Sequence, residues 1–223
     1  SSILTELAIL RKISHPTVIS FVEALDFNRF DSKVHGIAIV MEYVPGQELI
    51  SDNDMIARDG AYWEDGSMQP FYQSSIAAIY FTQVLAGLEY LHYNGIIHGD
   101  IKPSNILVNP TTQRIKLIDF GVSRLVKLAS GNPENSDPNQ LRCHRGFGKG
   151  TIMFFTPDAV KSNGFYDGRH ADLWAAAMTL YIMVYGFFPF LGDNTRDSIL
   201  SVLQDQDNEI YFTSQKPTFN LMA

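Results

Sequence analysis

The sequence predicts an α+β fold. Two apolar, β-branched runs at residues 18–25 and 36–44 stand in the first part of the chain, and the long helical patterns at residues 74–93 and 172–186 follow them. Strand-like runs and long helical patterns without a regular β-α repeat place the chain among mixed α and β folds. A length of 223 residues allows one large domain or two small ones.

In chain order, residues 3–13 place Leu4, Leu7, Ile9, Leu10 and Ile13 at mostly helical spacing, and His15-Pro16 ends that helix. Residues 18–25 read as a strand, 26–33 as a polar hairpin loop and 36–44 as a second strand buried on both faces. Pro45-Gly46 breaks the pattern, and the polar stretch 51–70 reads as irregular or short helical structure. Ile76, Ile79, Tyr80, Val84, Leu88 and Leu91 then follow one helix face, with Gly95 as C-cap. Short apolar runs at 96–97, 106–108 and 115–118 surround a polar cluster. Residues 127–150, rich in Asn, Pro, Gly and Ser, read as a long loop. A helix over 172–186 and another over about 195–204 follow.

Composition narrows the classes of function. The 17 basic and 24 acidic side chains leave a net charge of −7, so no nucleic-acid partner is expected. A single cysteine, Cys143, excludes an internal disulfide framework and a cysteine-based zinc site. The one Asn-x-Ser/Thr triplet, Asn109-Pro110-Thr111, is blocked by its proline. These points lead to the expectation of a reducing, cytoplasmic location. The uncharged run at 173–188 is interrupted by Gly186 and lacks a basic flank, so it reads as a helix buried on all sides rather than a membrane span. The chain opens on Ser1-Ser2-Ile3 and stops at Ala223 without a cap, and both ends read as cuts within a larger fold.

The densest chemical signal is His98-Gly99-Asp100-Ile101-Lys102-Pro103-Ser104-Asn105, followed at a later strand end by Asp119-Phe120-Gly121. This set suits phosphoryl transfer, which needs a carboxylate to orient a hydroxyl, a cation on the phosphates and oxygen ligands for Mg²⁺. Asp100 can orient the hydroxyl and Lys102 can neutralise the phosphate. Asn105 and Asp119 are hard oxygen ligands of the kind Mg²⁺ takes.

With these motifs the chain resembles the eukaryotic protein kinases. His98 to Asn105 is similar to the catalytic loop and Asp119-Phe120-Gly121 to the metal-binding motif. Thr156-Pro157-Asp158 stands where the family has Ala-Pro-Glu, and Asp172-Leu173-Trp174 resembles the start of the central C-lobe helix. The resemblance implies a two-lobed kinase fold, incomplete at both termini. Residues 1–44 would be a partial N-lobe and 45–223 a C-lobe lacking its last helices. The glycine-rich loop and the third-strand lysine would precede residue 1.

The resemblance also implies roles. Glu6 matches the helix-C glutamate that pairs with that lysine, and is counted with Asp100, Lys102 and Asn105 as catalytic. Leu10, Phe21, His98 and Phe120 match a stacked apolar spine. Met41 falls at the gatekeeper position, Glu42 to Val44 form the hinge for adenine, Glu48 approaches the ribose, and Leu107 and Ile118 form the floor. Lys102, Ser104 and Asp119 complete the ATP site, and Asn105 with Asp119 would hold Mg²⁺. Lys102 and Thr151 favour a serine/threonine enzyme acting on protein substrates. The stretches Glu6-Leu7-Ala8-Ile9-Leu10 and Asp119-Phe120-Gly121-Val122-Ser123 are similar to the calcium/calmodulin-dependent protein kinase kinases and to upstream activators of the AMP-activated kinase group. A regulator such as calmodulin would act through regions beyond residue 223.

Departures from the family bear on regulation. Gly99 replaces an arginine that in the family receives an activation-segment phosphate. Asp158 is one methylene shorter than the family glutamate, and Ala177 replaces a glycine. The segment 119–158 is long. Ser123, Ser130, Ser136 and Thr151 are candidate phosphosites. Arg142, Arg145 and Lys149 are either a site for a phosphate or acidic substrate, or a solvated loop. His98 reads as a packed spine residue, and Cys143 is assigned no role. The competing reading is a pseudokinase, a non-catalytic binding scaffold, against which Asp100, Lys102, Asn105 and Asp119 all argue.

Overall fold

A computed structural model of the chain describes residues 2–27, 36–57, 69–126, 142–144, 150–161, 165–189, 200–201 and 203. Helix α1, Ser2–Leu10, buries Ile9 and Leu10 and leaves Leu4 in solvent. It stops short of residue 13. Lys12 N–H turns back to Ile9 O at 2.9 Å, tightening the last turn ahead of His15-Pro16. Strand β1, Phe21–Asp26, pairs antiparallel with β2, Ile37–Met41, with an irregularity between Phe21 and Glu23. The β2 residues are half-buried and Met41 is exposed, so the expected strand buried on both faces is corrected. The reason is that β1 and β2 form a two-stranded sheet with no third strand among the described residues. The strand expected from residue 18 begins only at Phe21. Val18 bridges to Leu117 instead, and Ile19 N–H donates to Leu117 O at 3.0 Å.

Beyond Val44 the chain forms a small three-stranded sheet. Strands β3 (Gln47–Glu48), β5 (Ile106–Asn109) and β6 (Arg114–Leu117) pair in that order, all antiparallel. Helix α2, Asp52–Ala57, occupies part of the polar stretch that was open between helix and irregular structure. Helix α3, Ser74–Tyr93, has the expected bounds and buries Ala77, Tyr80, Val84, Leu88 and Leu91 along one face. Gly87 on that face comes so close to β6 that a Cβ there would lie 2.8 Å from Leu117 Cδ1 and 2.7 Å from Thr17 Oγ1. Asn94 caps the helix and Gly95 continues with a left-handed φ of 69°.

Strand β4 (Ile96–Ile97) pairs with β7 (Arg124–Leu125). Within the expected loop 127–150, Arg142–His144 form a strand, β8, which pairs with β9, Phe165–Asp167. The rest of that loop up to residue 149 lies outside the described residues, as does most of the hairpin loop 26–33. Cys143 on β8 is buried, and burial pushes its thiol up to about 11. Helix α4 (Pro157–Lys161) precedes β9, and α5 spans Gly168–Tyr185. The start of α5 is earlier than residue 172 because the Asp167 carboxylate accepts from Arg169 N–H at 2.9 Å and caps the helix there. Leu173 and Ala177 of α5 are exposed, so this helix is not buried on every side. Of the last expected helix, only residues 200, 201 and 203 are described, and they are helical. The core lies between α3, α5, β5 and β6, where Leu88, Leu91, Ile106, Ile115 and Ile182 are almost fully buried. Among the described residues no helix is long and apolar enough to cross a membrane.

Candidate active site

The loop 98–100 joins β4 to the rest of the catalytic stretch, and one buried carboxylate fixes it. Asp172, near the start of α5, accepts from His98 N–H at 3.0 Å, from Gly99 N–H at 2.9 Å and from His92 Nε2 at 2.8 Å. Such charge-assisted bonds are stronger than neutral ones and hold the backbone at one position. Gly99 adopts a left-handed φ of 80°, where a side chain is strained. His98 is fully buried with its ring 5.0 Å from Phe120, and its Nε2 bonds Ile118 O at 3.0 Å. Burial lowers the His98 pKa against the opposing pull of Asp172, so the ring is neutral and packed, as the spine assignment expects. Leu10 is buried as well, and Phe21 packs against the same core.

The Asp100 carboxylate stands directly on this loop. Its Oδ1 accepts from Thr151 N–H at 2.7 Å and its Oδ2 from Asn105 Nδ2 at 3.0 Å. Asn105 Nδ2 also donates to Asp100 O at 2.8 Å, so the amide nitrogen is committed inward. That leaves Asn105 Oδ1 as an oxygen donor with no hydrogen-bond partner among the described residues. Ile118 N–H donates to Asn105 O at 3.0 Å, which brings the next residue, Asp119, beside Asn105. Asp119 is exposed, with a left-handed φ of 64° that few residues other than glycine adopt. Its Oδ1 accepts from Gly121 N–H at 3.0 Å. A cation here would find two hard oxygen donors from the protein and open positions for phosphate and water, a set that fits Mg²⁺.

Glu6 reaches the same corner from α1. A Cβ on Gly121 would lie 3.1 Å from Asp119 Oδ1 and 3.8 Å from Glu6 Oε2. Burial, and then the negative Asp119, raise the Glu6 pKa above its ordinary value. Lys102 Nζ lies 3.4 Å from Asp52 Oδ2. Ser104 is buried and its hydroxyl has no partner among the described residues. Leu107 and Ile118 are half-buried, and Glu48 pairs across the sheet with Leu107. Met41 is exposed and Val44 half-buried at the edge of the β1–β2 sheet. Glu42 N–H donates to Ser20 O at 3.0 Å.

Several contributors were not assigned from the sequence. The sequence marks Asp172 only as the beginning of a helix, and its three donors come from segments distant in sequence. The Thr151 backbone N–H and the Lys102 partner Asp52 are likewise visible only in the fold. Ser123, weighed as a phosphosite, is buried with its hydroxyl donating to His98 O at 2.8 Å, which removes it from solvent. Arg145 and Lys149 lie outside the described residues.

A model of the protein kinase domain matches residues 1–220. The chain is 36% identical over 197 residues to the serine/threonine-protein kinase GRIK1 of Arabidopsis thaliana, covering 88% of this chain and 42% of that protein. It is 33% identical over 192 residues to the CBL-interacting serine/threonine-protein kinase 16 of the same plant, covering 85% of this chain and 35% of that one. It is 35% identical over 188 residues to a calcium/calmodulin-dependent protein kinase kinase of Caenorhabditis elegans, covering 83% and 29%. The chain therefore spans less than half the length of these curated relatives.

Proposed function

The chain belongs to the protein kinase domain family, and from that premise we propose that the full protein transfers the γ-phosphate of ATP to serine or threonine hydroxyls of protein substrates. The observation that supports this most is the double hold on Asp100, by Asn105 Nδ2 and Thr151 N–H, beside an Asn105–Asp119 oxygen pair. In this reading Asp100 orients the acceptor hydroxyl and takes its proton as the new oxygen–phosphorus bond forms and the bond to the β-phosphate oxygen breaks. Lys102 leaves Asp52 for the transferred phosphate. Asn105 Oδ1 and the Asp119 carboxylate hold Mg²⁺, which supplies charge neutralisation on the phosphates when bound. Glu42 to Val44 present backbone groups to adenine, with Met41 at the gatekeeper position. Glu48 faces the ribose, Leu107 and Ile118 lie under the base, and Ser104 belongs to the same pocket wall.

The lobes divide at residues 44/45 in this reading. Action on other kinases, in the cytoplasm, is part of this proposal, and the likeness to the Caenorhabditis elegans protein kinase kinase supports the choice of substrate. Control by calmodulin, through segments outside this chain, is part of the same proposal. The test is transfer of labelled γ-phosphate to protein substrates by the full-length protein that contains this chain and by its Asp100→Asn variant; the 223-residue chain alone is expected to be inactive. The expected result is transfer by the parent and a loss of about 10²-fold or more in the variant with ATP binding kept. Equal transfer by both would contradict the role of Asp100. Absence of transfer by a folded parent across several substrates would favour a binding scaffold.

A further inference from the structure

Three segments meet behind the hinge at one lysine. Lys116, in the middle of β6, forms an ion pair with Glu42 Oε1 at 2.5 Å and donates to Val18 O at 3.1 Å. The same Glu42 oxygen accepts from Ser20 N–H at 2.8 Å, and Glu42 N–H returns a bond to Ser20 O at 3.0 Å. Both side chains are largely shielded, with exposures of 18% for Lys116 and 32% for Glu42. Burial alone would raise the Glu42 pKa, but the bonds from Lys116 and Ser20 outweigh it and hold the carboxyl below its ordinary value.

The position of Lys116 gives the pair a consequence for the cleft. Across the sheet Lys116 is the register partner of Leu107. Along its own strand it lies two residues before Ile118, whose N–H is bonded to Asn105 O. Lys116 thus ties the first hinge residue to the strand that pairs with one floor residue, Leu107, and leads directly into the other, Ile118. The packing of residues 17–19 on β6 does not depend on it. Thr17 O, Ile19 N–H and both backbone groups of Leu117 already make that junction, at 2.8 and 3.0 Å.

We propose that Lys116, acting through Glu42, is a positioning residue for nucleotide binding that sets the hinge at a fixed height over the Leu107–Ile118 floor. This rests on the kinase reading of the cleft. Its effect belongs to ground-state binding of the base, because neither side chain points to the phosphate end where Asp100, Asn105 and Asp119 meet.

The experiment compares the full-length protein with its Lys116→Gln and Lys116→Arg variants in two measurements. The first is hydrogen exchange of hinge amides 42–44 without nucleotide. The second is affinity for a fluorescent ATP analogue, followed by kcat and KM for ATP. Lys116→Gln is expected to speed exchange at the hinge while Ile115 and Leu117 stay protected. It is expected to weaken binding and raise KM by roughly two- to five-fold, with a smaller change in kcat. Lys116→Arg keeps the charge and the donors and is expected to restore most of the affinity. Unchanged hinge exchange and affinity in Lys116→Gln would overturn the inference, as would a uniform loss of protection along β6, which is a purely structural effect. A parent chain that binds no nucleotide would overturn the kinase reading itself, and this inference with it.

Discussion

Replacing Asp172 with asparagine removes a charge from the most densely used carboxylate in the site without changing its shape. The Asp172 side chain is 1% exposed and accepts from His98 N–H, Gly99 N–H and His92 Nε2. An amide offers one acceptor oxygen where the carboxylate offers two. With that oxygen toward Gly99, the NH₂ group confronts His98 N–H. Turned the other way, it confronts Gly99 N–H. A change of His92 tautomer can relieve the imidazole but not a backbone N–H. Either way at least one charge-assisted bond, worth about 1.5–3 kcal/mol, is lost and one buried donor is left bare at about 1–3 kcal/mol. The expected cost is therefore about 2.5–6 kcal/mol, a large share of the ~5–15 kcal/mol stability of an ordinary domain. Urea denaturation of the full chain and its Asp172→Asn variant measures it. Phosphate transfer should fall as well, since the loop that carries Asp100 loses its anchor. A loss of stability below about 0.5 kcal/mol with transfer intact would refute the reasoning, because it would mean that the three donors find other partners.

Two further outcomes are expected. Glu6 has a raised pKa, first from burial and then from Asp119, so between the ordinary value of 4.5 and its folded value the native state holds more protons than the unfolded one. Its contribution to stability is thus lost as pH rises through that window. Glu6→Gln in the 223-residue chain should raise the thermal midpoint at pH 7 more than at pH 4; a variant equally affected at both would contradict this. Cys143 is 2% exposed with its thiol pushed up to about 11. Alkylation of it at pH 8 should be slower than that of a free thiol by roughly 10²-fold or more until denaturant is added. Labelling at the free-thiol rate in the native chain would show that the β8–β9 pairing is not maintained in solution.

Much of the architecture was legible because local periodicity and tertiary burial agree. Tyr80, Val84, Leu88 and Leu91 lie on one helix face in the sequence and are buried together in the fold. The candidate site residues were legible for a different reason. Asp100, Lys102, Asn105 and Asp119 cluster in short, ordered motifs, and the fold does bring Asp100, Asn105 and Asp119 into one site. What could not be read depends on pairing between distant segments. Strand β8 holds a single buried apolar side chain, Cys143, inside a polar tract, and it is a strand because residues 165–167 supply its partner. The helix start at Gly168 had a signal in Asp167, a residue type that caps helices, but the apolar run drew the boundary later. The resemblance assigns Glu42 a backbone role alone, whereas its side chain bonds Ser20 N–H and pairs with Lys116 of β6.

The most direct measurement is Mg²⁺-dependent transfer of labelled γ-phosphate from ATP to serine or threonine of a protein substrate, by the full-length protein and by its folded Asp119→Asn variant. The account requires transfer by the parent, its loss on chelation of Mg²⁺, and at least about a 10²-fold loss in the variant. Transfer that persists in Asp119→Asn, or a folded parent that transfers nothing, would contradict the assignment of this cleft as a working phosphotransfer site.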